Sequence, residues 1–312
     1  MTDRLKIFLA VFILSLPVWW GVNAFQKDLE SAFYAQVSQP LQEISLVKIP
    51  PKAQKPNLEL QARAAISVKI SGGGSEKVLF GKNINQPFPI ASLTKLMTAA
   101  IVFENTPEDN YDFSNVVTVS GKAAAQEDVP VFGNLEAGDE LLLERLLELM
   151  LIYSSNDAAF ALSEIIGQDN FIEKMNEKAE ILGLENTHFV NPTGLDPKKI
   201  YYDPTTIKYF NRAATKDLTN LTKYIIEEYP KIFEISASQG PYPVTNGTSD
   251  ILLPEKFKAV GGKTGYTDEA GGCMLLVLED KKGNEMINVI LGTSSSETRI
   301  TEMQKLIDWL GL

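Results

Sequence analysis

Cysteine and histidine are almost missing from this chain: its 312 residues hold one of each, Cys273 and His188. A lone thiol excludes an intramolecular disulfide, so the fold must rest on packing. One thiol and one imidazole also leave no ligand set for zinc, and neither a metal nor a cofactor is expected. Basic side chains are the minority, 29 against 40 acidic, for a formal net charge of −11. A chain of that sign cannot grip a phosphate backbone over a broad face, which excludes nucleic acid as a partner while leaving room for local basic pockets. What is present is ordinary for a globular protein, 44% hydrophobic and 22% charged residues, enough for a sizeable core in one large or two medium domains.

The N-terminus stands apart. Arg4 and Lys6 precede an apolar run from Ile7 to Val22, followed by Asn23-Ala24, in the order of an export signal. The run approaches the roughly 20 residues that span a bilayer, and Trp19-Trp20 suits an interface, so residues 1–24 read as either a cleaved signal peptide or a retained membrane anchor. Both place the rest of the chain outside the cytoplasm. Residues 25–61 turn to Gln, Lys, Glu and Pro, with "KIPPKAQKPN" reading as an extended stalk after a short helix. Residues 62–312 carry the patterned sequence.

That part opens with a strand, Ala64–Ile70, and the glycines 72–74 turn it into a second run at Lys77–Phe80. Helical spacing follows over Ser92 to Glu104, Leu141 to Ile152, Asp157 to Ile166, Gln168 to Leu182 and Ala213 to Glu228. Strands return at Lys258–Thr264, Cys273–Glu279 and Met286–Thr293, and Glu297–Leu310 closes the chain as a helix. Two early strands, a helical insertion and three late strands predict an α+β fold, with one antiparallel sheet built from both chain ends, helices packed on it, and an inserted, mostly helical lobe. A cleft between sheet and lobe would collect residues from distant parts of the sequence.

Three short stretches could supply chemistry to such a cleft. In "PIASLTKLMT", Ser92 and Lys95 stand three apart at a helix start, close enough to touch. A serine needs a neighbouring base to become nucleophilic, and Lys95 is better placed than His188, which sits among turn formers and reads as structural. "LIYSSNDAAFAL" puts Ser154 and Asn156 at a loop-to-helix junction, and "AVGGKTGYTDEAGG" puts Lys263, Thr264 and Gly265 at the end of an apolar strand on a sheet edge. Taken singly these are a helix cap, another cap and a strand end. Taken in order, Ser92-x-x-Lys95, Ser154-x-Asn156 and Lys263-Thr264-Gly265 form the pattern of the penicillin-recognising serine acyl transferases.

From about Ala64 to Leu312 the chain resembles the D-alanyl-D-alanine carboxypeptidases, the low-molecular-mass penicillin-binding proteins. The resemblance includes "VLFGKNINQPFPIASLTKLMTA", "YSSNDAAFALSE", "MNEKAEILGLENTHFVNPTGLD" and "GGKTGYTDEAGGC". It implies a penicillin-binding-protein/β-lactamase-like fold and a Ser92 acyl-enzyme formed on the terminal D-Ala-D-Ala of a peptidoglycan pentapeptide. Lys95 would take the serine's proton, with Lys263 helping to keep Lys95 neutral. Ser154 would pass a proton to the leaving amine, Asn156 would bind the substrate peptide, and Lys263 with Thr264 would bind the terminal carboxylate. The N–H groups of Ser92 and Tyr266 would form an oxyanion hole. It further implies covalent inhibition by β-lactam antibiotics and a place in the cell envelope, outside the cytoplasmic membrane, to which the N-terminal segment tethers the protein if uncleaved. The chain stops at "KLIDWLGL" with no further domain, so any tether is expected to be N-terminal. No Glu-x-x-Leu-Asn lies between Asn156 and Lys263, which argues for a slowly released penicillin complex rather than efficient β-lactam hydrolysis. An endopeptidase or a β-lactamase of the same fold shares the motifs, and a non-catalytic wall-binding protein is the distant alternative.

Overall fold

The computed structural model describes residues 3–37, 56–106, 113–126, 134–198, 201–238 and 248–312. The chain divides into two compact units, Met1–Gln54 and Lys55–Leu312. The first contains helix α1 (Asp3–Val37), which runs without interruption past Ala24 and through Pro17. Its stretch Ile7–Phe33 is long and apolar enough to cross a membrane, with a mean hydropathy of 1.9. Of the stalk expected up to residue 61, positions 38–55 lie outside the described residues.

The second unit is organised by a five-stranded antiparallel sheet in the order β2-β1-β9-β8-β7. Its strands are β1 (Ala64–Ile70), β2 (Glu76–Lys82), β7 (Phe257–Thr267), β8 (Gly271–Asp280) and β9 (Glu285–Thr293). The early hairpin pairs with the last strand, so both ends of the unit meet in one sheet, as the strand pattern predicts. Both faces of that sheet are covered. Along β8 the side chains alternate, Cys273, Leu275 and Val277 entering one core while Met274, Leu276 and Leu278 enter another.

The smaller core is closed by α8 (Ser296–Gly311), which buries Met303, Leu306, Ile307 and Leu310 at helical spacing. Ser295 caps this helix, its hydroxyl accepting from Thr298 N at 3.1 Å. Residues 56–61, which composition assigns to the end of the stalk, are held on the same side. Leu60 is buried there, Trp309 Nε1 donates to Pro56 O at 2.7 Å, and Gln61 N donates to the Glu302 carboxylate at 2.5 Å.

The larger core lies on the opposite face and runs into the helical lobe of α2 (Thr94–Glu104), α3 (Leu143–Ile152), α4 (Asn156–Glu164), α5 (Gln168–Ile181), α6 (Thr215–Glu228) and α7 (Lys231–Ala237). Two short pairings complete the unit. Strand β3 (Phe88–Pro89) joins β6 (Arg212–Ala213), and β4 (Val116–Thr118) joins β5 (Glu140–Leu142). The segment Leu141–Ile152, helical throughout by periodicity, therefore starts as a strand, because pairing with β4 captures Leu141 and Leu142 before α3 begins.

Candidate active site

The chain leaves β3 with Ile90 N bonded to Asn211 O at 3.1 Å and enters a 3-10 turn, Ala91–Leu93, that feeds α2. Neither the turn nor α2 uses a side-chain cap, so the Ser92 hydroxyl is not consumed as one. Ala91 has φ +46°, and Ser154 has φ +63°. With Asn83 these are the only non-glycine residues of positive φ among the described residues, and two of the three sit at or beside candidate catalytic positions. Strain of about 1–3 kcal/mol per such residue persists only where the surroundings enforce it.

Lys95 stands one helical turn after Ser92 with 0% of its surface exposed, whereas Ser92 is partly open to solvent. Its ammonium nitrogen lies 2.9 Å from Ser92 Oγ, 2.7 Å from Asn156 Oδ1 and 2.8 Å from Thr193 O. An amide oxygen and a peptide carbonyl can only accept. A neutral lysine would give its two N–H groups to these two and turn its lone pair toward the serine hydroxyl. The arrangement thus pre-orients a base whichever way the third position is protonated.

Asn156 is the first residue of α4, and the cap of that helix is Ser155, whose hydroxyl accepts from Ala158 N at 3.1 Å. Capping by the middle serine leaves Ser154 to face elsewhere. Its Oγ accepts from Lys263 Nζ at 2.8 Å. Lys263 is likewise 0% exposed, and its second acceptor is Thr264 O at 2.9 Å. Burial holds the Lys263 ammonium well below its ordinary pKa, with further lowering from the charges of Lys95 and Arg299.

Strand β7 is the edge of the sheet, and it extends to Thr267 rather than stopping at Thr264. Its Gly262 N–H points off the edge, to Ser236 Oγ of α7 at 3.1 Å. Strand alternation gives the N–H groups of Thr264 and Tyr266 the same outward direction. Gly265 sits against the 3-10 turn: a methyl group there would lie 2.8 Å from Ser92 N. Glycine is what lets β7 and the serine's backbone approach this closely.

Sequence reasoning brings Ser92, Lys95, Ser154, Asn156 and Lys263–Tyr266 to one place, and the fold assembles them there. It gives no role to the segment that fixes Lys95. Asn191 Oδ1 accepts from Thr193 N at 3.1 Å and Gly194 N at 2.7 Å, while Thr98 Oγ1 donates to Pro192 O at 2.7 Å. Gly194 has φ +90°, and a methyl group there would lie 2.1 Å from Ala91 O. The cluster of turn formers in "NPTGLD" is its one visible signal. His188, by contrast, exchanges backbone hydrogen bonds with Arg212 at 2.9 and 3.0 Å, and its pKa is lowered by burial and then by the Arg212 charge. Its place is structural. Among the described residues no group of three or more His, Cys, Asp or Glu could hold a metal.

A fold of this kind with two serine–lysine pairs facing each other defines a class, and comparison with known proteins gives the family. Residues 50–295 match the sequence model of the D-alanyl-D-alanine carboxypeptidase family, Peptidase_S11, and the chain belongs to that family. It is 31% identical over 259 residues to D-alanyl-D-alanine carboxypeptidase DacF of Bacillus subtilis, covering 80% of this chain and 62% of that one. It thus spans less than two thirds of that relative's length. It is 30% identical over 273 residues to a D-alanyl-D-alanine endopeptidase of Pseudomonas aeruginosa, covering 84% of this chain and 81% of that one. Among solved structures, penicillin-binding protein D2 of Listeria monocytogenes in its cefotaxime-bound form superimposes with a TM-score of 0.67 at 28% identity, covering 81% of this chain and 98% of that one.

Proposed function

We propose that this protein is a serine D-Ala-D-Ala carboxypeptidase that removes the terminal D-alanine from peptidoglycan peptides. The observation that carries the reading is the buried Lys95 Nζ held 2.9 Å from the partly exposed Ser92 Oγ by two fixed acceptors. Ser92 Oγ attacks the carbonyl carbon between the two D-alanines and its proton passes to Lys95 Nζ. The negative charge that develops on the carbonyl oxygen is met by the N–H groups of Ser92 and Tyr266. The C–N bond then breaks, Ser154 hands the amine a proton from the side of Lys263, and free D-alanine leaves. Water then adds to the remaining ester, Lys95 gives its proton back to Ser92 Oγ as the ester bond breaks, and the proton released by the water replaces the one that left through Ser154. The terminal carboxylate binds at Lys263 and Thr264, and its charge favours the ammonium form of a lysine that burial has made reluctant to hold a proton.

The same chemistry would trap a β-lactam as a Ser92 ester. The apolar stretch of α1 supports export across the cytoplasmic membrane, with the catalytic unit acting in the cell envelope. Residues 1–24 would tether it to the membrane if they stay uncleaved, and N-terminal sequencing of the mature protein reads this directly.

The test is intact-mass spectrometry after brief exposure to benzylpenicillin, with Ser92→Ala alongside, together with D-alanine release from a pentapeptide. One persistent adduct on Ser92, absent from the variant, is the expected result. Equal D-alanine release by both proteins would sink the nucleophile assignment. A second reading, hydrolysis of D-Ala crosslinks, draws support from the endopeptidase relative, which this chain covers to 81% of its length. Parallel assays on pentapeptide monomers and crosslinked dimers separate the two.

A further inference from the structure

Arg299 is placed at some cost. It lies in the first turn of α8, where a cation opposes the helix dipole. Its Nε is buried and, among the described residues, has no hydrogen-bond partner. Sites that break two local rules at once call for an offsetting role. The guanidinium's partner suggests one: Nη1 donates to Gly265 O at 2.9 Å.

Gly265 O and Tyr266 N–H belong to one peptide unit. Among the described residues no peptide bond is cis, and in a trans unit the carbonyl and the N–H point in opposite directions. Strand alternation has already directed the Tyr266 N–H off the open edge of β7, so Gly265 O faces inward, toward Cys273, its neighbour on β8. The start of α8 is pressed onto that same place. A methyl group at Gly272 would lie 2.4 Å from Ser295 O and 3.0 Å from Arg299 Cβ, so only glycine lets the helix come near enough for the guanidinium to reach across to β7.

We propose that Arg299 is a positioning residue for the oxyanion hole. By clamping the inner oxygen of the Gly265–Tyr266 peptide, it fixes the direction of the outer N–H and polarises it into a stronger donor. The inference rests on the Ser92 acyl-transfer reading and deepens it.

The experiment compares wild type, Arg299→Lys and Arg299→Met, each counted by active sites titrated with benzylpenicillin. Two acyl-D-alanyl thioesters are used that differ only in whether the leaving group ends in a carboxylate or a carboxamide. Removing an oxyanion donor outright costs roughly 10²–10³ in kcat, so releasing its clamp is expected to cost about 10-fold. In Arg299→Met this loss should fall on kcat for both thioesters with little change in KM, and Arg299→Lys should recover part of it. Unchanged kcat in both variants would overturn the assignment while leaving Ser92 in place. So would a loss confined to KM of the carboxylate substrate, which would mean that Arg299 touches that carboxylate. Failure of wild type to form any Ser92 adduct would instead remove the underlying reading, and this proposal with it.

Discussion

The two walls of the site each bury a lysine under a serine, and they do it differently. On the helical wall, Lys95 Nζ lies within 2.9 Å of three oxygens, drawn from the 3-10 turn before α2, from the start of α4 and from the loop at Thr193. On the sheet wall, Lys263 leans on Ser154 and on the carbonyl of its own neighbour, with Lys95 and Arg299 close enough to lower its pKa. One lysine is over-determined in position, the other under pressure to lose its charge. The contrast suits the roles proposed for them: a base must be aimed before substrate arrives, whereas an anion-binding group gains from being completed by the anion itself.

The largest effect should come from emptying the better-braced wall. Lys95→Met removes the proposed base and the donor that Asn156 Oδ1 and Thr193 O share, and penicillin acylation should fall by about 10³-fold or more, as loss of a general base implies. Stopped-flow or quenched mass spectrometry reads this, and a rate within a few-fold of wild type would refute the assignment. Lys263→Met should lower D-alanine release by about 10²-fold yet raise stability by about 1 kcal/mol, because a buried charge gives way to an apolar isostere.

The pH dependence sharpens the contrast. The folded-state pKa of Lys263 is depressed from the ordinary 10.5. Between the two values the unfolded chain holds a proton that the folded one lacks, so this residue's contribution makes stability rise as pH rises through that window. Melting temperature against pH should have a flatter slope in Lys263→Met; identical slopes would show that Lys263 carries its proton throughout.

Gly194→Ala attacks the join between the loop and the turn that carries Ser92. With φ +90° and a backbone oxygen 2.1 Å from the new methyl, the cost should be about 3 kcal/mol, seen as a lower denaturant midpoint together with slowed acylation. The smallest effect belongs far from both walls. The ion pair of Lys69 and Asp280, 2.8 Å long and partly exposed, should contribute about 0.5 kcal/mol, with kinetics unchanged in Asp280→Asn.

Much of this was legible in residue order. The strands of the sheet announce themselves by apolar runs, and α5 by its spacing, because burial on a regular element imposes a period. The side chains proposed to react are legible because the proposed chemistry demands particular residue types at fixed separations. What was not legible is carried by backbone. Thr193 contributes a carbonyl, which any residue has, and although the family resemblance names the Tyr266 N–H, its direction, like that of the Gly262 N–H, depends on strand parity. The seven-residue α7 after Pro230 is too short for periodicity to reveal, and β3, β4, β5 and β6 are two- or three-residue pairings decided by the chain they meet. Arg299 acts through a peptide 34 positions away, with no local pattern to mark it.

Cys273 is fully buried in β8 opposite Gly265, and burial pushes its thiol up to about 11. In the native state it is therefore shielded from alkylating reagents both by access and by protonation. Because it is the chain's one cysteine, covalent labelling becomes a clock for a single event: each modified molecule marks one uncovering of the larger core on the face of β8 that Cys273 enters. The rarity that excludes a disulfide thus also gives the protein a built-in reporter of how often the core behind its central sheet opens.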